Sequence, residues 1–496
     1  MKQSKSIKKI MASLFRSSVF NFLSQITIFL SATLLSIFLA RFLGPVQMGE
    51  YSYLMWLVST LSILLTLGLP RTVMRFAAGS KGFNQTQIIS RTLIFQLKTA
   101  VIAFLAGLIG ILLFGGGQKF TLLVVLLTLL IATLNLLTGS ILSGLQKFNL
   151  LFKINLLVSP LLLIFSLLVL FFAKSITNLL FVNLLSIAFS LGVSIYFLKD
   201  LINLTIPKLP HKIYRNIKGN TISISLIVFL DLILMERSEV FFLKNYSTIE
   251  QVAFYSISFG LVGRVMTLVP GAVSGVIMPK VSFLHGKSQL AKIKLTYFNS
   301  TRYLILITMP IIFAGIALID LIINLLYGSE YNTLIPIIQI LLISGGLSAI
   351  VAAAAAVLYG TGGQSFILKL ASIAAILNII LDMLFIPDYG AIGAALANFI
   401  AQILGVIVGT YYLIKKKQMP FPWKDLSKVL VAALISTLQI CFLKVFFIAG
   451  NKIIFLFWLS SLFILSYVLV LYLLKTLNKQ DYDLIKRVAN SIGFKV

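Results

Sequence analysis

The sequence predicts an all-α polytopic membrane protein with about 14 transmembrane helices. Three observations support this fold class. Of the 496 residues, 59% are hydrophobic. Runs of about 20 apolar residues, each long enough to cross a bilayer as a helix, recur along the whole chain. The chain nevertheless carries 41 Lys and Arg against 13 Asp and Glu, a net charge of +28. A soluble nucleic-acid-binding protein can be that basic but not that apolar, so we expect no nucleic acid as a partner.

The predicted spans are separated by loops too short to form a domain of their own. An even number of spans places both termini on the same side of the membrane. The spans are expected at about 18–42, 47–68, 91–114, 120–142, 151–172, 177–198, 219–243, 250–275, 297–320, 333–357, 366–386, 390–414, 427–449 and 453–475. Before the first span, the apolar residues of segment 1–17 recur at helical spacing, which predicts a helix lying in the membrane interface.

The distribution of basic residues predicts which side of the membrane each loop occupies. Cytoplasmic loops of membrane proteins are enriched in Lys and Arg. Most of the 41 basic residues lie in the terminal segments and in alternate loops, including the linker 199–218 and the run Lys415–Lys417. Both termini are therefore expected in the cytoplasm.

The linker 199–218 divides two six-span halves that resemble each other. Gly144 precedes Lys153 by the same number of residues as Gly360 precedes Lys369. Because six is an even number, such a repeat is parallel, as in transporters with two bundles around a central cavity. The predicted organisation is an interfacial helix at 1–17, an amino-terminal bundle at 18–198, a basic linker at 199–218, a carboxyl-terminal bundle at 219–414, a cytoplasmic loop at 415–426, two appended helices at 427–475 and a cytoplasmic tail at 476–496.

Charged residues inside the spans are the first candidates for function, because an ionisable group at membrane depth costs about 2.5–3.5 kcal/mol. The acids are candidates for charge coupling or for ion pairs, and they are Asp231, Glu236, Glu239 and Asp382. The first three lie in the span at 219–243, where Arg237 can pair with an acid on another span. Asp382 follows Asn378 by four residues on one helical face, so helix packing is an alternative role for it.

Arg264, in the eighth span, is the leading candidate for substrate binding. No acid lies within helical reach on its own span, so its partner is expected on another span or in a ligand. Arginine offers a planar fork of donors that binds phosphate in a bidentate manner, which favours an anionic ligand. A structural ion pair with Asp231 or Glu236 is the alternative.

Two other regions are expected to contribute polar groups to a substrate cavity. Lys98 is a cation within the third span, although its long stem also allows the ammonium group to reach the membrane surface. Asn21, Ser24 and Gln25 cluster on one side of the first span, as expected of a wall that faces water or sugar hydroxyls. Helix packing is the alternative for these three residues.

The sequence has no pattern typical of an enzyme, and we expect neither a cofactor nor a metal ion. The glycines Gly360, Gly362 and Gly363 follow no predicted strand and lack the lysine of a nucleotide-binding loop. The acids Asp481 and Asp483 are a lone pair in the tail, which is too little for a metal site. Energy for transport is therefore expected from a gradient, the membrane potential or the supply of substrate.

Several short motifs extend across nearly the whole chain. Those of the first half are Ala40–Pro45, Gly49–Ser52, and Gly68 with Arg75. Those of the second half are Phe254–Ser256, Pro279–Lys280, Asn378 with Asp382, Ile386–Pro387 and Gly390–Ala395. With the number of spans and the basic linker, these motifs resemble the bacterial polysaccharide-export flippases of the multidrug/oligosaccharidyl-lipid/polysaccharide superfamily.

The resemblance implies that the chain moves an undecaprenyl-pyrophosphate-linked oligosaccharide from the cytoplasmic to the outer leaflet by alternating access. Membrane lipid, a polysaccharide polymerase and glycosyltransferases are the other partners it implies. The cavity residues Arg264, Arg237, Lys98, Asn21 and Gln25 would then contact pyrophosphate or sugar. A cation-coupled multidrug exporter of the same fold, a lipid II flippase and a membrane-bound polymerase remain as alternatives.

Overall fold

The computed structural model describes residues 2–66, 68–79, 83–203, 221, 224–225, 228–229, 238–445, 451–478 and 481. In this part of the chain the regular structure is helical and contains no strand, which confirms the predicted fold class. The helices are α1 (Lys2–Thr66), α2 (Leu69–Gly79), α3 (Phe83–Phe114), α4 (Lys119–Gly144), α5 (Phe148–Phe172), α6 (Ile176–Leu198), α7 (Glu239–Tyr246), α8 (Ile249–Gly286), α9 (Leu290–Leu326), α10 (Leu334–Ile350), α11 (Ala352–Gly360), α12 (Gln364–Lys416), α13 (Trp423–Val445) and α14 (Lys452–Leu473).

Ten segments of the described residues are long and apolar enough to cross a membrane. Two of them, in α1 and α12, each contain two predicted spans, because the helix is interrupted at a glycine. The predicted eighth span lies within α8, whereas most of the seventh lies outside the described residues. The chain is a multi-pass, all-α membrane protein.

The two long helices break at Gly44 and Gly390. Gly44 has φ 74° and Gly390 has φ 54°, which are values that an L-residue with a side chain rarely adopts. In α12 the second limb folds back on the first, since a Cβ on Gly393 would collide with the backbone of Phe385. In an unbroken helix these two residues would lie about 12 Å apart. Glycine thus allows two predicted spans to follow each other with almost no loop.

Three local features differ from the pattern predicted by the sequence. The helix α2 lies in a predicted loop, where it buries Leu69 and Val73 and exposes Arg71. The predicted span at 333–357 is divided at Val351 into α10 and α11. The predicted interfacial segment is helical, but it continues into the first span without a break; the side chains of residues 2–18 lie outside the description.

The chain divides into two compact units, Met1–Ala253 and Phe254–Val496. A core in the first unit joins α2 through α6 and contains Leu69, Val73, Ile88, Ile89, Leu137, Ile141, Leu142, Ile154 and Leu198. A core in the second unit joins α8, α9, α11 and the end of α12, and includes Ile277, Val281, Leu284, Ile293, Tyr297, Leu304, Val357, Leu413 and Met419. The boundaries of the predicted bundles remain a prediction.

Candidate functional site

Two polar pairs connect α10 to the second limb of α12 in the second unit. The Ser344 hydroxyl donates to Asn398 Oδ1 at 3.0 Å, and the Ser348 hydroxyl donates to Gln402 Oε1 at 2.8 Å. Each helix contributes its two residues at a spacing of four, which is one face of a helix. Hydrogen bonds between serine and amide side chains satisfy groups that would be costly to leave unpaired at membrane depth. These two hydrogen bonds fix the rotation of α10 about its own axis relative to the second limb of α12.

Asp382 lies on the first limb of α12 and is fully buried. Its Oδ2 accepts a hydrogen bond from Asn378 Nδ2 at 2.9 Å, so the two residues make the contact that their shared helical face predicts. Asn378 is also buried, and so is Asn398 on the second limb. A buried carboxyl group beside an amide side chain is a site where a change of protonation or of a bound cation would have a large energetic effect.

Arg264 is an exposed residue of α8. Its neighbours Val262 and Met266 are buried, and both approach Gly345 of α10. Since Arg264 is two residues from each, its side chain lies about 160° from theirs around the helix. The guanidinium group is therefore directed away from the α8–α10 contact and out of the core of the second unit.

In the first unit, the structure places Lys98, Asn21 and Gln25 at exposed positions. Ser24, which lies between Asn21 and Gln25 in the sequence, is buried and accepts a hydrogen bond from Asn155 Nδ2 of α5 at 2.7 Å. Ser24 therefore packs between helices, whereas its two polar neighbours stay accessible. Around Lys98 the exposed residues of α3 are large and apolar, including Phe95, Leu97, Ile102, Leu105 and Ile109. This surrounding fits the alternative in which the Lys98 stem lies along lipid.

The sequence predicts a concentration of charged residues in the span at 219–243. Of these candidates, Glu239 is among the residues that the structure describes. Glu239 begins α7 and is buried. A carboxylate in the first turn of a helix is stabilised by the unpaired N–H groups there. Asp231, Glu236 and Arg237 lie outside the described residues, so their assignment to the cavity remains a prediction.

The structure also contains a charged cluster that the sequence analysis did not anticipate. Arg302 of α9 is buried and donates from both Nη atoms to Asp481, at 2.9 and 2.6 Å. Its Nε donates to Asp425 at 3.0 Å, and Nη2 also donates to the Thr476 carbonyl at 2.8 Å. Burial disfavours the charged form of Asp481, but hydrogen bonds from Arg302 and the Asn478 backbone outweigh it and hold the pKa of this carboxyl below its usual value.

A second ion pair lies at the other end of α9. Lys444 Nζ of α13 contacts both carboxylate oxygens of Asp320, at 2.6 and 2.7 Å, and the Ala317 carbonyl at 2.8 Å. Asp320 is the last residue of the predicted span 297–320, and Lys444 lies five residues before the end of the predicted span 427–449. Arg302 could have been noticed in the same way, because it is an ionisable residue five positions inside a predicted span.

Comparison with known proteins supplies the family context. A family model described as "Polysaccharide biosynthesis protein" matches residues 38–336. A curated relative from Shigella flexneri, described as "Putative O-antigen transporter", is 24% identical over 393 residues, which is 75% of this chain and 90% of the relative.

Two solved structures show the same fold. One is described as lipid II flippase MurJ in an inward closed conformation, with a TM-score of 0.70 and 17% identity over 92% of this chain and 98% of that one. The other is an inward-facing multidrug resistance MATE family transporter of the MOP superfamily, with a TM-score of 0.59 and 17% identity over 81% of this chain and 96% of that one. At this level of identity the likeness establishes the fold.

Proposed function

The chain belongs to the polysaccharide biosynthesis protein family, and from this premise we propose that it is a flippase for a lipid-linked oligosaccharide. The substrate would be an oligosaccharide repeat unit on undecaprenyl pyrophosphate, carried from the cytoplasmic to the outer leaflet of the bacterial plasma membrane. The observation that carries the proposal is the family match together with the similarity to an O-antigen transporter over nine-tenths of that relative. Its role would be transport, not the making or breaking of a covalent bond.

The charges of the chain suit an anionic lipid head group. Arg264 is exposed on a helix at membrane depth, and a guanidinium fork binds phosphate oxygens in pairs. We assign it the pyrophosphate contact, with Arg237 and Lys98 as further cations and Asn21 and Gln25 as partners for sugar hydroxyls. A membrane potential that is negative inside would favour outward movement of each negative charge by about 2.3 kcal/mol per 100 mV.

Asp382 is the residue we assign to charge coupling. A carboxyl group that is fully buried beside Asn378 can exchange a proton or a small cation only when the packing around α12 opens. Glu239, Asp231 and Glu236 are assigned to coupling or to ion pairs within the first unit. In this scheme Arg264 binds the substrate and Asp382 responds to the conformational change.

The proposal can be tested with purified protein in liposomes. The probe is a fluorescent polyprenyl-pyrophosphate disaccharide, and dithionite, which does not cross the bilayer, bleaches only the outer leaflet. Protein-free liposomes should retain about half of the fluorescence, and active protein should expose the remainder. A fluorescent phosphatidylcholine is the control, since its movement would indicate a leak or a scramblase. Arg264→Ala should abolish movement of the disaccharide lipid.

Lipid II transport is the second candidate, because the MurJ fold matches over nearly the whole chain. Fluorescent lipid II in the same liposomes separates the two functions. Movement of lipid II with no movement of the disaccharide lipid would replace our proposal by this alternative. Export of ethidium driven by a proton or sodium gradient, with neither lipid moved, would instead indicate a drug exporter.

A further inference from the structure

A groove opens on the first unit between α5 and α6. Its volume is about 460 Å³, which lies within the range of about 300–1,000 Å³ typical of ligand pockets. The groove is lined by Lys153, Ile154, Leu157, Phe189, Gly192, Val193, Tyr196 and Phe197. Apart from Lys153 and the Tyr196 hydroxyl, this lining is hydrocarbon.

Lys153, the one cationic residue among those that line the groove, lies near one end of it. Lys153 is in the second turn of α5, and Tyr196 is near the last residue of α6. Lys199 follows, and its Nζ lies 4.9 Å from the centre of the Tyr196 ring. The part of the groove farther along the helices, at Leu157 and Phe189, is apolar. The site is thus suited to a molecule with an anionic head and an apolar tail.

The predicted sequence repeat allows the groove to be compared with the second half of the chain. Tyr196 follows Lys153 by 43 residues, and in the second half Tyr412 follows Lys369 by the same number. At the position equivalent to Gly192 the second half has Val408. There the Tyr412 ring also stacks on Phe366, with ring centres 3.8 Å apart. Under the predicted repeat, the second half thus carries the Val408 side chain where the first half has Gly192.

We propose that the α5–α6 groove binds one acyl chain of an anionic phospholipid, whose phosphate contacts Lys153. A lysine at the end of a spanning helix attracts anionic lipids at the membrane surface. The apolar lining then accommodates the chain by ordinary hydrophobic contact. A peptide fits less well, because its backbone N–H and C=O groups would find almost no partners along this lining. This inference does not depend on which oligosaccharide the protein transports.

Gly192 allows the groove to be closed without disturbing the protein. A Cβ added there has no atom of another residue within 4 Å, so a larger side chain would enter the groove and not the core. Gly192→Leu should fill the space, whereas Gly192→Ala is the matched control that adds only one methyl group. Both replacements raise helix propensity, so neither is expected to impair folding.

The test uses the full chain in nanodiscs of phosphatidylcholine that contain a small fraction of a photoactivatable lipid. The probe is phosphatidylglycerol with a diazirine in its acyl chain, and a phosphatidylcholine with the same chain serves for comparison. Labelled residues are located by mass spectrometry of peptides. We expect phosphatidylglycerol to label Leu157, Phe189 or Val193 in preference to phosphatidylcholine. The Leu variant should lose this labelling by roughly tenfold or more, as for a site whose space is occupied, and the Ala variant should keep it.

Lys153→Gln separates the head group from the groove itself. It should lower labelling by phosphatidylglycerol by roughly tenfold, the factor that one charge-assisted contact supplies, and leave labelling by phosphatidylcholine unchanged. Equal labelling of the wild type by both lipids would overturn the proposal. So would unchanged labelling in a folded Leu variant, as judged by gel filtration and circular dichroism. Displacement of the probe by polyprenyl phosphate, but not by unlabelled phosphatidylglycerol, would assign the groove to the carrier lipid instead.

Discussion

The Arg302 cluster holds the carboxyl-terminal segment of the protein against α9, and Arg302→Gln is the change that tests it. The side chains of Arg302 and Asp481 are only 4% and 5% exposed, whereas that of Asp425 is 21% exposed. The variant keeps a long polar side chain but removes the charge. Both carboxylates would then remain close together without their shared cation.

The expected loss of stability follows from this burial. Removing one partner of a buried ion pair costs about 3–5 kcal/mol, because the other charge is left uncompensated. Most of this loss should come from Asp481, since solvent screens the more exposed Asp425. The pair of Lys444 and Asp320 is a control, with side chains 21% and 41% exposed. Exposed ion pairs are worth about 0–1 kcal/mol, so Lys444→Gln should have a smaller effect.

The assay is equilibrium unfolding of the purified protein in detergent, followed by tryptophan fluorescence. Trp423 is a local reporter, because it begins the helix that carries Asp425. A double-mutant cycle with Asp481→Asn isolates the interaction, and Arg302→Gln should cost much less in that background. If the two effects add to within about 0.5 kcal/mol, the side chains are not energetically coupled and the reasoning fails. An equal loss from Lys444→Gln would refute the argument from burial.

Three further results are expected. Arg264→Ala should abolish surface polysaccharide while the protein stays in the membrane, and normal polysaccharide in that variant would contradict the anion-binding role. Gly390→Ala should destabilise the protein by about 1–3 kcal/mol, because the φ of Gly390 is 54°. Gly110→Ala should not destabilise it, because Gly110 lies in the unbroken helix α3 with open space at its Cβ. Equal melting temperatures of the two variants would exclude strain at Gly390. Because folding lowers the pKa of Asp481, this carboxylate should stabilise the folded protein fully above pH 3.8, its ordinary pKa, and the stabilisation should be lost as the pH falls below that value. Asp481→Asn should remove that part of the pH dependence of the free energy of unfolding.

Much of the fold follows from the sequence, because the length of an apolar run and the position of a glycine are signals that can be read from the local sequence. Ten described segments match expected spans. The break at Gly44 falls between two predicted spans, and the break at Gly390 falls at the first residue of the predicted span 390–414. The contact of Asn378 with Asp382 follows from a spacing of four residues. The partners of Arg302 are 123 and 179 residues away along the chain, on segments that apolar periodicity does not describe. Pairing between such distant groups depends on tertiary structure, which one sequence without an alignment does not reveal.

The two ion pairs are separated along α9 by about the thickness of a bilayer core. Along α9, Arg302 and Asp320 are 18 residues apart, and along α13 their partners Asp425 and Lys444 are 19 apart, or about 27–29 Å in a helix. This is close to the thickness of about 30 Å of the hydrocarbon core. The two ion pairs join α9 and α13, which run in parallel, at points separated by about that thickness. Both acids of the Arg302 cluster come from segments that the positive-inside rule assigns to one side, so their contact is consistent with that assignment.

Arg302 and Lys444 each pair with acids on other segments of the second unit. Arg302 is five residues inside its predicted span and Lys444 is five residues before the end of its own, and acidic partners compensate both charges. Arg264 lies 15 residues from the first residue of its helix, and Asp382 lies eight residues before the break at Gly390. The two residues differ in setting, since Arg264 is exposed and Asp382 is fully buried. An exposed cation such as Arg264 suits reversible binding of a ligand. A buried acid such as Asp382 suits a group whose protonation or ion binding depends on how the helices pack.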